Sequence, residues 1–285
     1  MRIVVFVKQI GYVYHPLAIE SVGGVIDPEK MVYMLNPYDE SALEEAIQIK
    51  ERFPGCEVII ITAGPPRDEE ALRYAFAFGA DRMIRINTES LVPWSIASLL
   101  VEVIRNLNLD IILCGKRATD TNDNQVPTLV AELLNLVQVS GIISLEPFPK
   151  EEKAMVERYL GKGDREEIEC KLPALFTVEK GLNDPRYPTL PNRLLAEKHE
   201  IEVIEESSLG ARLDNVPDLS VSAQLTPPRP KPKKAFTPDT HLSPGERLKL
   251  IMSGGAADKK SDLIEGIPEE LANKIMEVLI QEKVI

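Results

Sequence analysis

Short apolar segments alternate with amphipathic segments along the first half of the chain. The apolar segments are residues 2–8, 57–62, 81–86 and 110–114, all of strand length and rich in β-branched side chains. The first of them, RIVVFVK, is typical of a central strand that is buried on both faces. Strands that alternate with helical segments of 11 to 15 residues indicate βαβ units. The sequence therefore predicts an α/β fold with a doubly wound parallel sheet.

The intervening segments carry helix signals at their ends. The predicted helices are residues 37–51, 68–78, 93–107 and 124–134. The first opens on Asn36-Pro37, and the second ends at Gly79, which are favoured helix-start and helix-stop residues. These helices are expected to cover both faces of the sheet.

The second half of the chain has a different pattern. Residues 155–160 and 166–170 read as a hairpin around residues 161–164, and residues 174–179 read as a further buried strand. From about Val203 the alternation of strand and helix stops. We therefore expect an α/β domain at residues 1–204 and a C-terminal arm with helices at residues 205–285.

The C-terminal extension begins with a proline-rich stretch. Residues 216–234 contain five prolines and read as an extended arm. Helical periodicity returns at residues 244–252 and 268–280, and such amphipathic helices need a surface to lie on. We expect that surface to be this domain or a partner subunit.

The net charge and the rare reactive residues exclude several functions. A formal charge of -12 argues against binding to nucleic acid, whose phosphates require a dense basic surface. The three cysteines and three histidines lack metal-ligand spacing, so buried reduced thiols are expected instead of a zinc site. The sequence has neither a long apolar run nor the features of a signal peptide, which predicts a cytoplasmic protein without a membrane span.

The most informative stretch is the polar junction after the fourth predicted strand. In a doubly wound sheet, ligands bind beyond the carboxyl ends of the strands, which selects the loops after residues 8, 62 and 114. Gly115 permits close approach of the backbone, and the N–H groups opening the helix at Asn124 can bind a phosphate. Asp120 and Asp123 would repel a phosphate, so they should face ribose hydroxyls or cap the helix. A plain capping loop remains an equal alternative on spacing alone.

Other nucleotide motifs and catalytic sets are missing from the sequence. There is no G-x-G-x-x-G after the first strand and no P-loop motif. Residues 253–258 are similar to the pyrophosphate loop of adenylating enzymes, but they follow a helix near the C-terminus. A binding or carrier role is favoured, and an adenylating enzyme, which could hydrolyse ATP, is the alternative from another class.

The polar junction and several other motifs resemble one known family. Residues 115–125 with Gln138 resemble the signature segment of the β subunit of electron transfer flavoprotein. Residues 36–39, 79–82, 171–174 and 183–192 also resemble family motifs in matching order. The similarity extends over about residues 1–204.

The resemblance implies a cofactor arrangement. It implies a heterodimer with an α subunit that holds most of the redox FAD. This subunit would bind AMP or, as in electron-bifurcating members that use NADH, the adenylate half of a second FAD. Residues 120–123 match neither the AMP-binding nor the electron-bifurcating members well. We favour AMP and keep the second FAD as the alternative. The implied cofactor-binding residues are Phe6, Asn36, Pro37, Tyr38, Asp39, Ala63, Gly115, Lys116, Arg117, Ala118, Thr119, Asp120, Thr121, Asn122, Asp123, Asn124, Gln125 and Val126.

The resemblance also implies a docking loop and a carrier role without independent catalysis. Pro188 and Pro191 fix the backbone on either side of Leu190, so an exposed leucine could dock with little loss of entropy. The resemblance implies that Leu190 anchors flavin dehydrogenases of the acyl-CoA dehydrogenase type. Electrons would pass to a membrane quinone oxidoreductase or another acceptor.

Overall fold

A large, mostly parallel sheet forms the centre of the fold in the computed structural model, which describes residues 1–12, 31–90, 92–210, 241–252 and 266–281. In chain order the strands are β1 (Arg2–Phe6), β2 (Gln9–Tyr12), β3 (Val32–Leu35), β4 (Glu57–Gly64), β5 (Arg82–Asn87), β6 (Ile111–Gly115), β7 (Val137–Phe148), β8 (Lys153–Gly161), β9 (Asp164–Lys171), β10 (Ala174–Val178) and β11 (Glu202–Glu205). The α-helices are α1 (Pro37–Arg52), α2 (Glu69–Phe76), α3 (Pro93–Ile104), α4 (Gln125–Leu134), α5 (Leu190–Lys198), α6 (Pro244–Met252) and α7 (Pro268–Gln281). Short 3₁₀ turns occupy Pro66–Asp68, Pro149–Glu151 and Glu206–Ser208.

The strand order reverses at β1. The sheet of nine strands has the order β11-β5-β4-β1-β6-β10-β7-β8-β9, and β2 pairs with β3 in a separate hairpin. Strands from β11 to β7 run parallel, whereas β8 and β9 add to one edge in antiparallel fashion. The chain passes from β1 to β4 and β5 on one side and places β6 on the other. This confirms the doubly wound α/β prediction and puts the switch point at β1.

Alternate residues of β1 pack on opposite faces of the sheet. Ile3 and Val5 belong to the cluster that includes α1 and α2, while Val4 and Phe6 belong to the cluster that includes α3 and α4. All four are at most 7% exposed. Because each fully buried apolar side chain stabilises the fold by roughly 1.5 to 3 kcal/mol, β1 contributes strongly from both faces.

Several element predictions need correction. Strand β7 is absent from the predicted elements, although apolar and polar residues alternate along part of it. The segment predicted as a loop around Leu190 contains the start of α5. The alternation of strands and helices continues as far as β11, beyond the point where it was expected to stop. β11 is an edge strand with polar residues, so its sequence lacks the apolar run of a buried strand. The other predicted strands and helices are present, with boundaries that differ by up to about three residues.

The chain divides into two compact units, Met1–Pro227 and Pro228–Ile285. In the second unit, α6 opens with a capping box: the Ser243 N–H donates to Glu246 Oε2 at 3.0 Å, and the Glu246 N–H donates to Ser243 Oγ at 3.5 Å. Both predicted C-terminal helices are thus present. The predicted arm at residues 216–234 lies outside the described residues.

Two composition-based expectations can be checked directly. Cys56, Cys114 and Cys170 are buried and unpaired in disulfides, as predicted. Within the ranges that the structure describes, no helix combines the length and apolarity needed to cross a membrane.

Candidate functional site

A cavity opens beyond the carboxyl ends of β1, β4 and β6. Its volume is about 420 Å³, and its strand-derived walls include Phe6, Ile61 and Cys114. Ile96 and Leu100 of α3 form an apolar side wall, and the loop that follows β6 forms the opposite rim. The cavity therefore lies where the strand order reverses, which is the usual ligand position in this architecture.

Most of the residues predicted for cofactor binding gather around this cavity. Those that line it are Phe6, Asn36, Asp39, Ala63, Gly115, Arg117, Ala118, Asp120, Thr121, Asp123, Gln125 and Val126. Those that do not are Pro37, Tyr38, Lys116, Thr119, Asn122 and Asn124. The predicted loops thus meet at one cavity, although several residues within them do not line it, and their role in cofactor binding stays a prediction.

Other residues that line the cavity were not in the predicted set. Lys8, Arg67 and Asp68 stand at the strand ends, and Pro93, Ile96 and Leu100 come from α3. The strand-end residues could have been found, because the loops after β1 and β4 were already candidates. The α3 residues share one apolar helix face, which predicts burial and gives no sign that the face adjoins a cavity.

Asn36 fixes the loop at residues 115–124, hereafter the crevice loop. Asn36 is the N-cap residue of α1, but its side chain makes no capping hydrogen bond. Instead its Nδ2 donates to the carbonyl of Arg117 at 3.0 Å, and its Oδ1 accepts from the N–H of Thr119 at 3.3 Å. The side chain thus holds two peptide groups of the crevice loop against the start of α1.

Asp39 joins the ends of β1 and β6. Its Oδ2 accepts from the N–H of Lys8 and its Oδ1 from the N–H of Gly115, both at 2.9 Å. A Cβ atom at Gly115 would collide with Asp39 Oδ1 and lie 2.9 Å from the Tyr38 carbonyl carbon. Glycine is therefore needed here for close approach of α1.

The start of α4 offers fewer free donors than the sequence predicts. Asn124 is the N-cap residue of α4, but the preceding Asp123 accepts from the N–H of Gln125 at 3.1 Å and so occupies one of the donors that open the helix. Pro127 has no N–H to offer. An anion at this helix start would therefore rely on the N–H groups of Asn124 and Val126.

Asp120 has a role that the sequence did not predict. Its two carboxylate oxygens accept from Lys8 Nζ at 2.9 and 3.0 Å, and Asp120 also accepts from the N–H of Thr121. Lys8, which follows β1, engages Asp120 in the structure. Asp120 also lines the cavity, so its expected position against a ribose stays a prediction. This ion pair is partly exposed, with side chains 46% and 23% accessible.

The remaining charges at the cavity are held by neighbouring side chains. Arg117 donates from Nε to the Tyr38 hydroxyl at 3.0 Å and from Nη1 to Asn122 Oδ1 at 2.9 Å. Asn122 adopts a left-handed backbone with φ of 55°, which asparagine tolerates well. Burial raises the pKa of Asp68 to about 6, although Arg67 and Arg85 oppose the shift.

The predicted docking residues lie on a separate, exposed surface. Leu190 is 68% exposed, Tyr187 is 92% exposed and Leu194, one helical turn after Leu190, is 54% exposed. Thr189 is the N-cap of α5, and its hydroxyl accepts from the N–H of Asn192 at 3.4 Å. Pro188 precedes this cap, and Pro191 occupies the first turn of the helix, where its missing N–H is not needed.

This exposed segment is anchored firmly to α1 and α2. Arg186 donates to both Glu44 and Glu51 of α1, with the shortest contact at 2.6 Å, and the Glu44 side chain is only 3% exposed. At the other end of α5, Arg73 Nη1 donates to the carbonyls of Ala196 and His199 at 2.6 and 2.9 Å. The apolar side chains are thus displayed on a fixed base.

No group of three or more His, Cys, Asp or Glu side chains among the described residues could hold a metal ion.

Comparisons with known proteins agree on one family. The family model described as the electron transfer flavoprotein domain matches residues 23–209. The chain is 33% identical over 258 residues to electron transfer flavoprotein subunit beta of Bacillus subtilis (strain 168), covering 89% of this chain and 96% of that protein. It is 36% identical over 215 residues to the human protein of the same name, covering 74% and 82%, and 31% identical over 230 residues to that of Dictyostelium discoideum, covering 80% and 90%. The chain therefore belongs to the electron transfer flavoprotein family, as a beta subunit.

Proposed function

We propose that this chain pairs with an α subunit in a heterodimeric electron transfer flavoprotein and holds AMP in the cavity beyond β1, β4 and β6. The redox FAD is shared with the α subunit. The heterodimer carries electrons from flavin dehydrogenases of the acyl-CoA dehydrogenase type to a quinone oxidoreductase or another acceptor. The observation that carries the proposal is the cavity at the point where the strand order of the sheet reverses. The chain belongs to a family of electron transfer proteins, which supports the carrier role.

The shape of the cavity suits one nucleotide. Small-molecule pockets in proteins span roughly 300 to 1,000 Å³, and this cavity, at about 420 Å³, lies in the lower part of that range. The apolar wall of Ile96 and Leu100 offers a surface for a base, and the polar crevice loop offers donors on the opposite side. These features support a mononucleotide over a whole FAD on this subunit.

The charges at the rim allow a phosphate only in part of the cavity. Asp120 and Asp123 would repel it, whereas Lys8, Arg67 and Arg117 would attract it. Lys8 is already paired with Asp120, so an arriving phosphate would compete for the Lys8 ammonium group. The proposal therefore places the phosphate between Lys8 and the start of α4.

The exposed segment around Leu190 is the proposed docking point for the dehydrogenase. Its apolar side chains stand on a base fixed by Arg186 and Arg73, so little conformational entropy is lost when a partner covers them. An exposed apolar group on a rigid base is typical of an interface anchor. The docking point is separate from the cavity, so the two can be altered independently.

Release of bound nucleotides from the purified heterodimer tests the cofactor assignment. The chain would be co-expressed with its α subunit, the complex denatured, and the released FAD and AMP separated and counted. One FAD with one AMP is the expected result. Two FAD with no AMP would show that the cavity holds a second flavin, and a colourless subunit that hydrolyses ATP would overturn the carrier function.

A further inference from the structure

Asp39 is a buried carboxylate at the floor of the cavity, and both of its oxygens are engaged by main-chain donors. The residue is 5% exposed. It accepts from the N–H of Lys8, just after β1, and from the N–H of Gly115, the last residue of β6. These neighbouring strands separate at this point, so one side chain holds the two strand ends at a fixed spacing.

We propose that Asp39 is a positioning residue of the nucleotide site, and that AMP binds tightly only while this carboxylate is ionised. The inference rests on the proposed function, because it concerns the same cavity. It assigns Asp39 a role through the backbone of the crevice loop, since both of its oxygens already bind protein N–H groups.

The geometry explains why the ionised form is needed. Each carboxylate oxygen accepts from an N–H donor at 2.9 Å. Protonation would make one of the two oxygens a weaker acceptor and would add an O–H donor that has to find a partner beside Lys8 or Gly115. The Asp39 side chain is buried and lies close against Gly115, where even an added Cβ atom would overlap Asp39 Oδ1. Protonation would therefore weaken the bond to Lys8 or to Gly115, and in the second case it would loosen the beginning of the crevice loop.

Asn36 transmits this change along the loop. Its side chain holds Arg117 and Thr119, two and four residues beyond Gly115, from the turn that opens the same helix. A shift of α1 relative to β6 would therefore move several peptide groups of the crevice loop together. Gly115, Arg117 and Ala118, which line the cavity, lie within the stretch from Gly115 to Thr119 that Asp39 and Asn36 hold.

The ionisation falls in a range where it can be measured. Burial raises the pKa of Asp39 to about 7, while the N–H groups of Lys8 and Gly115 and the Asn36 side chain oppose the shift. When only the ionised fraction binds, the apparent Kd is divided by that fraction. Kd for AMP should then be roughly ten-fold higher at pH 6 than at pH 8.

Other ionisable groups face the same region from every neighbouring element. Lys8, which follows β1, forms an ion pair with Asp120 of the crevice loop, and the Arg117 guanidinium lies over the Tyr38 ring. Cys114 of β6 has a pKa well above its usual value because it is buried, so it stays a neutral thiol in this range. Among the described residues, the other charged groups near the cavity are Arg67, Asp68, Asp123 and, over the Tyr38 ring, Lys180. Of these, Asp68, with its pKa of about 6, could produce a similar pH effect.

The test is equilibrium dialysis of AMP against the heterodimer with its FAD in place, between pH 6 and pH 8. The wild-type complex should bind AMP about ten-fold more weakly at pH 6. Asp39→Asn keeps the shape but offers one acceptor instead of two, so it should bind weakly at both pH values. The AMP phosphate also changes charge in this range, so the quantity that decides is the difference between wild type and Asp39→Asn.

Two matched variants separate Asp39 from other carboxyl groups. Asp110 accepts from the N–H of Arg2 at the opposite end of β1, at 2.7 Å, so Asp110→Asn removes a similar bond away from the cavity. It should retain the pH effect. Asp68→Asn should also retain it; if it abolishes the effect, or if Asp39→Asn preserves it, the proposal is wrong.

Hydrogen exchange of the AMP-free heterodimer keeps the inference testable if AMP does not bind. After correction for the intrinsic pH dependence of exchange, protection of residues 115–124 should rise between pH 6 and pH 8 in the wild type only. A wild-type complex that shows this rise but binds no AMP would contradict the proposed function and leave the Asp39 role standing. Equal protection in wild type and Asp39→Asn would overturn the Asp39 role.

Discussion

The cavity floor and the exposed segment around Leu190 place polar and apolar groups in opposite ways. At the cavity floor, buried polar groups such as Asp39 are satisfied by main-chain donors, while the apolar surface faces inward. Around Leu190, apolar side chains face solvent, and the polar contacts lie beneath them in the link between Arg186 and Glu44. The proposed nucleotide site is thus enclosed by the fold, whereas the proposed docking site is exposed on its surface.

The largest expected effect concerns the enclosed site and its response to pH. Because the pKa of Asp39 is raised from 3.8 to about 7, the folded chain keeps a proton that the unfolded chain has already lost. Stability should therefore fall as pH rises from about 4 to about 7, by up to about 4 kcal/mol from Asp39 alone. The burial-raised pKa values of Asp68, Glu40 and Glu45 act in the same direction.

Urea denaturation of the ligand-free chain at several pH values would measure this slope. Asp39→Asn should flatten it, and Asp110→Asn should leave it unchanged. A slope that is identical in Asp39→Asn and wild type would show that burial at the cavity floor is not what makes this region pH-sensitive.

A methyl group at Gly115 should damage the enclosed site directly. In Gly115→Ala the new Cβ would overlap Asp39 and the Tyr38 backbone, which is expected to destabilise the fold by about 3 kcal/mol. AMP content of the purified heterodimer should also fall. Gly55→Ala is the matched control: Gly55 has a left-handed φ of 83° and open space around it, so it should lose some stability and keep AMP.

Removal of Arg186 should loosen the displayed site while leaving the cavity intact. Arg186→Gln leaves the buried Glu44 carboxylate without its cation, which should cost about 2 kcal/mol, below the value for a fully buried pair because Arg186 is partly exposed. Hydrogen exchange of residues 186–195 should accelerate, with AMP content unchanged. Lys153→Gln, which removes a cation from the exposed partners Glu151 and Glu169, should change neither property.

The smallest effect on stability is expected at Leu190. Because the side chain is 68% exposed, Leu190→Ala should change the free energy of unfolding by less than about 0.5 kcal/mol. Electron transfer with an acyl-CoA dehydrogenase should nevertheless show a higher KM. Leu160→Ala, at another leucine that is 58% exposed, provides the control. Loss of FAD from Leu190→Ala would place the residue in cofactor binding and remove the distinction between the two sites.

The sequence predicted the parts of this arrangement that depend on local pattern. β1 was recognisable because Ile3–Phe6 are all apolar, as expected of a strand that is buried on both faces. The loops at the cavity followed from the order of strands and helices. β7 was missed because polar residues and a bulge near Ile142 interrupt its pattern, and α5 was missed because Pro191 in its first turn resembled a loop proline. The inward turn of Asp39 could not be predicted either, since an acidic residue in a first helical turn is usually an exposed partner of the helix dipole.

Helix α1 supports both sites, the crevice loop through Asn36 and Asp39 and the Leu190 segment through Glu44 and Glu51. An α-helix has a fixed rise and rotates about 100° per residue, so these two attachment points keep a set distance and a set angle. A single residue inserted between Asp39 and Glu44 would turn the second pair of contacts away from Arg186 while preserving every side chain involved. The length of α1 between its two groups of contacts is therefore under as much constraint as the contact residues themselves.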